Sequence, residues 1–261
     1  MRKHVALLAL VMMLFCCKEA PAVQLPYGKS VVITLSDTYA SRYISKGQDA
    51  YPDNDSSNHP SIDVTFPKLF MDTDLSFNAW GAMPLAAGHQ QYVEVDYSTY
   101  LTRDIGKDWN VVVGYVYYDY PNASRSTDTS DPWATVTLKK IPYLPVDISA
   151  YATVYYEFPV VSGAEDPGIY YTWGFETDVP LPAVKIFQKD QALTLKVANW
   201  GTDGVGGRKP SIYATELGIS TDYSFGKITV SPSVHYVLNQ EETINEGKDE
   251  VWAEFGVNYK F

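Results

Sequence analysis

The chain has 261 residues and a formal net charge of −11, with 46% hydrophobic and 14% aromatic residues. This acidic balance argues against binding to nucleic acid, which depends on neutralising phosphate groups. Both cysteines, Cys16 and Cys17, lie near the N-terminus, so the rest of the chain has no thiol for disulfides, metal ligation or nucleophilic catalysis. No apolar stretch after residue 22 approaches the roughly 20 residues of a transmembrane helix, which excludes a helical membrane protein.

The N-terminus has the three zones of a secretory signal. Basic residues at positions 2 and 3 precede an apolar run from Val5 to Cys17, and the small residues of Ala20-Pro21-Ala22 follow. We therefore predict a signal peptide over residues 1–22 and a single mature domain over residues 23–261. Lipoprotein processing at Cys17 is the alternative, because residues 14–17 loosely resemble a lipobox.

Apolar and polar residues alternate in many segments, which is the pattern of a β-strand with two different faces. In the last segment, Val251, Phe255 and Tyr259 share one face, and Trp252 and Glu254 share the other. We predict strands over residues 30–44, 60–66, 75–85, 92–105, 109–121, 132–141, 146–159, 168–180, 191–203, 211–225, 228–241 and 249–261.

The lengths of these segments and of their connections predict a membrane barrel. Many segments have the roughly ten residues that a tilted strand needs to cross a bilayer. Short connections alternate with longer polar ones, and the even number of strands places both termini on one side of the membrane. We therefore predict an all-β fold, a single transmembrane antiparallel up-and-down β-barrel of about twelve strands in the bacterial outer membrane. The alternative is a soluble lipocalin-like or sandwich protein, whose apolar faces point inward.

The C-terminal strand also has the form of an assembly signal. Its apolar row ends in an aromatic residue, which is typical of the strand that outer-membrane barrels present to the barrel-assembly machinery, and an open strand edge can pair with another edge. We predict that this machinery and outer-membrane lipid are partners, and that the signal consists of Phe255, Val257, Tyr259 and Phe261.

Four segments resemble a known family, the outer-membrane porins called TorF or Gcw_chp. They are the stretch from Leu35 to Gly47, which contains Ser36-Asp37-Thr38-Tyr39 and Arg42-Tyr43-Ile44-Ser45, then Asn78-Ala79-Trp80-Gly81, the edge from Gly114 to Pro121, and the aromatic last strand. Thr38 is inserted relative to the family pattern. The resemblance covers most of the mature chain and implies a channel whose substrate is not defined.

Polar residues on the faces opposite the apolar rows are predicted to line a lumen. Carboxylates outnumber basic groups there, which predicts passive diffusion of small hydrophilic solutes with a preference for cations. The alternative is that these charges pair and plug a narrow barrel that serves as a structural or adhesion anchor. The predicted pore-lining residues are Glu94, Asp96, Asp147, Glu157, Glu176, Asp178, Lys196, Glu216, Asp222, His235, Glu254 and Lys260.

Catalytic and metal-binding patterns are weak in this sequence. His235 lies near Ser231 and Ser233, but the chain has no Gly-x-Ser-x-Gly elbow, so we favour a structural histidine and predict no enzyme activity over a barrel-embedded hydrolase. His59 and His89 are placed singly in polar loops. The acidic stretch of residues 49–55 lacks the glycine and glutamate of a calcium loop, so we predict no metal and no cofactor. We assign Tyr117, Tyr118 and Tyr120 to the aromatic girdle at the membrane interface.

Overall fold

The structure is a computed structural model that describes residues 30–51, 55–164, 166–182, 191–205, 208–241 and 245–261. The predicted signal peptide, the lipoprotein alternative at Cys17 and most of the predicted turn at residues 181–190 lie outside the described residues. Within those ranges, no helix has the length and apolar character needed to cross a membrane.

Long antiparallel strands dominate the described chain. Their bounds are β1 Val32–Ala40, β2 Ile44–Ser45, β3 Gln48–Asp49, β4 Ser57–Phe70, β5 Thr73–Pro84, β6 Glu94–Ile105, β7 Trp109–Asp119, β8 Thr129–Leu138, β9 Ile148–Pro159, β10 Gly168–Pro180, β11 Ala192–Asp203, β12 Ser211–Thr221, β13 Tyr223–Phe225, β14 Ile228–Asn239 and β15 Glu250–Lys260.

The long strands form a closed ring. Each pairs with its neighbours along the chain, and β1 also pairs with β15, from Thr34 opposite Lys260 to Ala40 opposite Glu254. β12 and β13 are two parts of one barrel strand, interrupted at Asp222, and both pair with β14. The short strands β2 and β3 form a separate hairpin. The prediction of an antiparallel barrel of twelve strands is therefore confirmed.

The outer surface of the barrel is apolar. Large hydrophobic side chains on alternate positions are exposed, among them Leu101, Val113 and Phe255, the last at 50%. The intervening positions on β15, Glu250 and Trp252, are buried in the interior. A soluble sandwich or lipocalin would place its apolar rows inward, so this arrangement excludes the soluble alternative and matches strands that face lipid.

The predicted boundaries of the two strands nearest the N-terminus are wrong. The first strand ends at Ala40 rather than at residue 44, because the chain turns inward there. The second extends over Ser57–Phe70 rather than residues 60–66, since an irregularity in pairing between Phe66 and Phe70 accommodates residues that resemble a turn. The predicted turn at residues 67–74 shrinks to Met71 and Asp72, which both have positive φ.

The connections differ in length at the two ends of the barrel. Three of the connections on the side of the chain termini are residues 71–72, 106–108 and 226–227, and those on the other side include residues 41–56, 120–128 and 240–249. Short turns on one side and longer loops on the other are the arrangement of outer-membrane barrels. The longer loops place polar side chains over one mouth of the barrel.

Candidate functional site

Residues 41–51, called loop 1 here, fold into the barrel rather than over its rim. The hairpin of β2 and β3 pairs Ile44 with Asp49 and Ser45 with Gln48. Its two turn residues, Lys46 and Gly47, have φ of 49° and 75°, which is the conformation of a two-residue hairpin turn. A Cβ atom at Gly47 would lie 3.0 Å from Trp200 Cδ1 on β11, so the tip of the hairpin rests directly against the wall.

The ammonium group at this tip is enclosed by five side chains of the barrel wall, which we call the Lys46 cage. Lys46 Nζ donates hydrogen bonds of 2.8 Å to both Asp131 Oδ2 and Glu157 Oε2. It also lies 5.0, 5.5 and 4.5 Å from the ring centroids of three aromatic residues, within the range of a cation–π contact. These residues are Tyr118, Tyr155 and Tyr170.

The cage keeps Lys46 charged although the side chain is almost buried. Its side chain is 13% exposed, and burial by itself would lower the pKa. The nearby carboxylates of Glu157 and Asp131 outweigh that effect, so the pKa of Lys46 is raised above its ordinary value. Loop 1 therefore carries a permanent positive charge into the lumen.

Further contacts fix the start and the tip of loop 1. At its start, Arg42 forms an ion pair with Glu250 of β15, and Tyr43 Oη donates a hydrogen bond of 3.0 Å to Glu94 of β6. At the tip, Tyr213 Oη donates a hydrogen bond of 2.5 Å to the carbonyl oxygen of Lys46. Loop 1 is thus connected to strands on several sides of the barrel.

The other long loops also hold loop 1 from above. Asn245 accepts a hydrogen bond of 2.6 Å from the backbone N–H of Asp49, and Arg208 donates one of 3.1 Å to the Gln48 side chain. These contacts join three loops of the same mouth, so the position of loop 1 depends on its neighbours as well as on the wall.

Aromatic side chains pack under the start of loop 1. The Tyr43 ring lies 5.0 Å from both Tyr51 and His59, and Trp80 lies 5.0 Å from His59. His59 therefore belongs to β4 and to this cluster, which corrects its assignment to a polar loop. His89 does lie in a connecting segment, where it contacts Asp55.

A second charged cluster lies on the inner face of β11, β12 and β14. Glu216 accepts hydrogen bonds from Lys196 and from Trp200 Nε1, each at 3.2 Å, and lies 3.1 Å from His235 Nδ1. The other nitrogen of His235 is 2.9 Å from Ser233, and its ring stacks on Trp252 at 4.7 Å.

This order of carboxylate, imidazole and hydroxyl is that of a hydrolase triad, but its setting is different. Ser233 lies inside the ladder between Ser220 of β12 and Glu254 of β15, so its backbone N–H group is committed to strand pairing rather than available to a reacting oxyanion. We interpret His235 as a structural residue of the wall, clamped between Glu216 and Trp252.

Cavities lie on both sides of the loop 1 hairpin. One of about 300 Å³ is lined by loop 1 and by Trp80, Asp96 and Trp200. A second, of about 310 Å³, shares Tyr155 and Trp200 with the first and continues past Glu176 and Lys196. A third, of about 230 Å³, lies against Gln48, Asp49 and Glu157. The hairpin therefore divides a polar lumen into compartments and narrows it without filling it.

Solved structures show the class of barrel to which this fold is similar. No family model matches the sequence, and no curated protein matches it either. The KdgM porin has a TM-score of 0.51 at 10% identity, covering 87% of this chain and 99% of that one. The NanC porin has a TM-score of 0.50 at 12% identity, covering 88% and 100%. The fold is that of an outer-membrane barrel. This likeness and the apolar belt place the chain in the outer membrane.

The predicted pore-lining residues occupy two kinds of position. Most lie on the inward rows of their strands, with side chains on the same face as the clusters described above. Asp147 instead lies in the turn before β9, where it contacts Lys140, and Asp222 lies at the break after β12, where it accepts a hydrogen bond of 2.6 Å from Ser231. Those on the inward rows are Glu94, Asp96, Glu157, Glu176, Asp178, Lys196, Glu216, His235, Glu254 and Lys260.

Sequence reasoning missed the most constrained part of the lumen. The sequence pattern predicts Lys46 in a polar outer loop and Asp131 just outside a strand, but the Asp131 side chain is fully buried. The prediction that Tyr118 belongs to the aromatic girdle is wrong, because its hydroxyl donates a hydrogen bond of 3.2 Å to Asp131 inside the barrel. The Lys46-Gly47 pair between short alternating stretches is the sequence signal that would have indicated a hairpin.

Proposed function

We propose that this chain is a porin-like channel for passive diffusion of small hydrophilic solutes across the outer membrane. The observation that carries this proposal is the series of cavities along the interior of a closed barrel, with loop 1 narrowing but not filling it. In a closed barrel the backbone groups are paired between strands, so solute can cross only through such an interior.

We also propose a preference for cations. Lys46 balances only one of the two carboxylates that it contacts, and Lys196 pairs with Glu216. Carboxylates beyond these pairs also face inward, including Glu176, Asp178 and Glu254. Excess negative charge along a narrow polar path concentrates cations and repels anions.

The family resemblance also supports a channel. The segment Arg42-Tyr43-Ile44-Ser45-Lys46-Gly47, which carries much of the resemblance to the TorF or Gcw_chp porins, forms the inward hairpin of loop 1. We propose that the chain belongs to that family, that residues 1–22 are its export signal, and that the outward row ending at Phe261 serves barrel assembly.

Planar-bilayer recording of the purified mature protein tests this function. We expect stepwise conductance and, in a salt gradient, a reversal potential of the sign that indicates cation selectivity. Heat-denatured protein in the same detergent is the control. Folded protein that inserts but gives no current would contradict the channel, whereas anion selectivity would contradict only the charge assignment.

A further inference from the structure

The Lys46 cage surrounds an ammonium group with carboxylates and aromatic rings, and that ammonium group belongs to the protein's own Lys46 side chain. Two carboxylates at 2.8 Å and three aromatic rings within 5.5 Å surround Lys46 Nζ. Carboxylates accept the N–H donors of an ammonium, and aromatic faces attract its charge. The arrangement therefore recognises the chemistry of a primary ammonium rather than lysine as such.

The cage and the cation that fills it come from different parts of the chain. The cage residues lie on β7, β8, β9 and β10, which pair with one another in the barrel wall. Tyr155 and Tyr170, for example, are direct partners in the register of β9 and β10. Lys46 comes from a hairpin that is not part of the ring. Withdrawal of the hairpin would leave the cage formed.

The cage carries more negative charge than Lys46 neutralises. Asp131 is fully buried, and its Oδ1 atom has no hydrogen-bond partner within the described residues. Glu157 is 16% exposed, so its charge is also poorly hydrated. Without Lys46, these two poorly hydrated carboxylates would lie close together without a counter-ion, which is costly unless another cation enters.

The cage is open to solutes from both compartments. Lys46 and Tyr118 line both the cavity of about 300 Å³ and the cavity of about 230 Å³ on the other side of the hairpin. Tyr155 borders the cavity of about 300 Å³, and Glu157 and Tyr170 border the cavity of about 230 Å³. A solute in either compartment is therefore adjacent to the cage.

We propose that the cage is a binding site for the aliphatic ammonium group of an entering solute, which displaces Lys46 and releases the tip of loop 1. The ion pair of Arg42 with Glu250 holds the start of the loop, so the hairpin tip moves while its base stays attached. This inference rests on the proposed channel function and names its solute class as small organic amines.

Chemical rescue in detergent tests the site without any measurement of transport. Lys46→Ala removes the ammonium group, and we expect a lower temperature of unfolding. n-Propylammonium chloride, which restores the lost part of the side chain, should raise that temperature, whereas sodium chloride at equal ionic strength should not. Lys139→Ala, which breaks the exposed pair with Asp104, is the matched control and should show neither the loss nor the rescue.

The wild-type channel provides a second test that does not depend on the folding of a variant. n-Propylammonium should increase the time spent in the high-conductance state relative to sodium, while tetramethylammonium, which has no N–H donor, should have a much smaller effect. The Asp131→Asn and Glu157→Gln variants should lose this response. The Lys46→Met channel should enter the high-conductance state without added amine. The equilibrium constant between its high- and low-conductance states should rise on the order of tenfold to a hundredfold, as for loss of charge-assisted hydrogen bonds.

The outcomes of these experiments distinguish failure of the ammonium site from failure of the channel. Rescue of Lys46→Ala in a protein that conducts no current would support the ammonium site and contradict the channel. Cation current without rescue, and with equal responses to propylammonium and sodium, would overturn the ammonium site and leave the channel standing. If Lys46→Ala does not assemble, the responses of the wild-type channel to n-propylammonium, sodium and tetramethylammonium test the ammonium site.

Discussion

At the scale of single residues, Gly47 determines whether the hairpin tip fits against the wall. Its φ of 75° is unfavourable for residues with a Cβ atom, and that atom would approach Trp200 to 3.0 Å. Gly106 has φ of 64°, but no other group lies near its Cβ position. The two glycines therefore share a backbone requirement and differ in packing.

A pair of alanine variants separates these two effects. Gly106→Ala should lose only the roughly 1–2 kcal/mol that a left-handed backbone costs. Gly47→Ala should lose more, and it should raise single-channel conductance because the tip no longer seats against Trp200. Denaturant unfolding and bilayer recording measure the two quantities. Equal stability losses with unchanged conductance in both variants would show that the tip does not depend on close packing.

Glu176 and Asp178 provide a test of ion preference that leaves loop 1 in place. Both lie on the inward row of β10, and Glu176 lines the cavity of about 310 Å³. Glu176→Gln combined with Asp178→Asn should move the reversal potential in a salt gradient toward zero. Asp108→Asn, in an exposed turn, is the control. An unmoved reversal potential in the double variant would remove these two residues from the ion path.

At the scale of elements, loop 1 should keep its position over a wide pH range. The folded-state pKa of Lys46 is raised above the ordinary value of 10.5, so the stabilisation from its charge is fully present below that value and is lost only as pH rises through the folded pKa. The part of the conductance that depends on Lys46 should therefore stay constant between about pH 7 and pH 10 when no amine is added. An increase within that window that disappears in Lys46→Met would contradict this assignment.

The prediction about barrel assembly concerns the last strand, β15, and Phe261 at its end. Phe261 continues the outward row of β15, its ring lies 4.7 Å from that of Tyr259, and its N–H donates a hydrogen bond to Ile33 on β1. Deletion of Phe261 should lower the fraction of protein inserted in the outer membrane, measured by cell fractionation. Tyr143→Ala removes a fully exposed aromatic residue from a turn and should leave that fraction unchanged.

The sequence predicts the elements well where side chains alternate between lipid and lumen. The rows of β6, β9 and β15 have a period of two because each strand has one apolar and one polar environment. It does not predict loop 1, because the contacts of Lys46 with Asp131 and Glu157 join residues 85 and 111 positions apart. Those contacts depend on closure of the ring, which no local pattern encodes.

At the scale of the whole molecule, the barrel combines an apolar exterior with a polar interior that loop 1 divides. The sheet is continuous around the ring, so its wall is the fixed part of the structure. Loop 1 is held by hydrogen bonds and ion pairs at its start and its tip. Passage of solute should therefore depend on the hairpin, while selectivity should depend on the charges of the wall.

Solute flux into liposomes tests the central claim most directly. Purified protein reconstituted into liposomes should admit small hydrophilic solutes, with cations such as n-propylammonium entering faster than anions of similar size, and it should exclude large polymers. Liposomes without protein should admit none of them. Entry that is no faster than in protein-free liposomes, for protein shown to be folded and inserted, would contradict the assignment of the lumen as a path for diffusion.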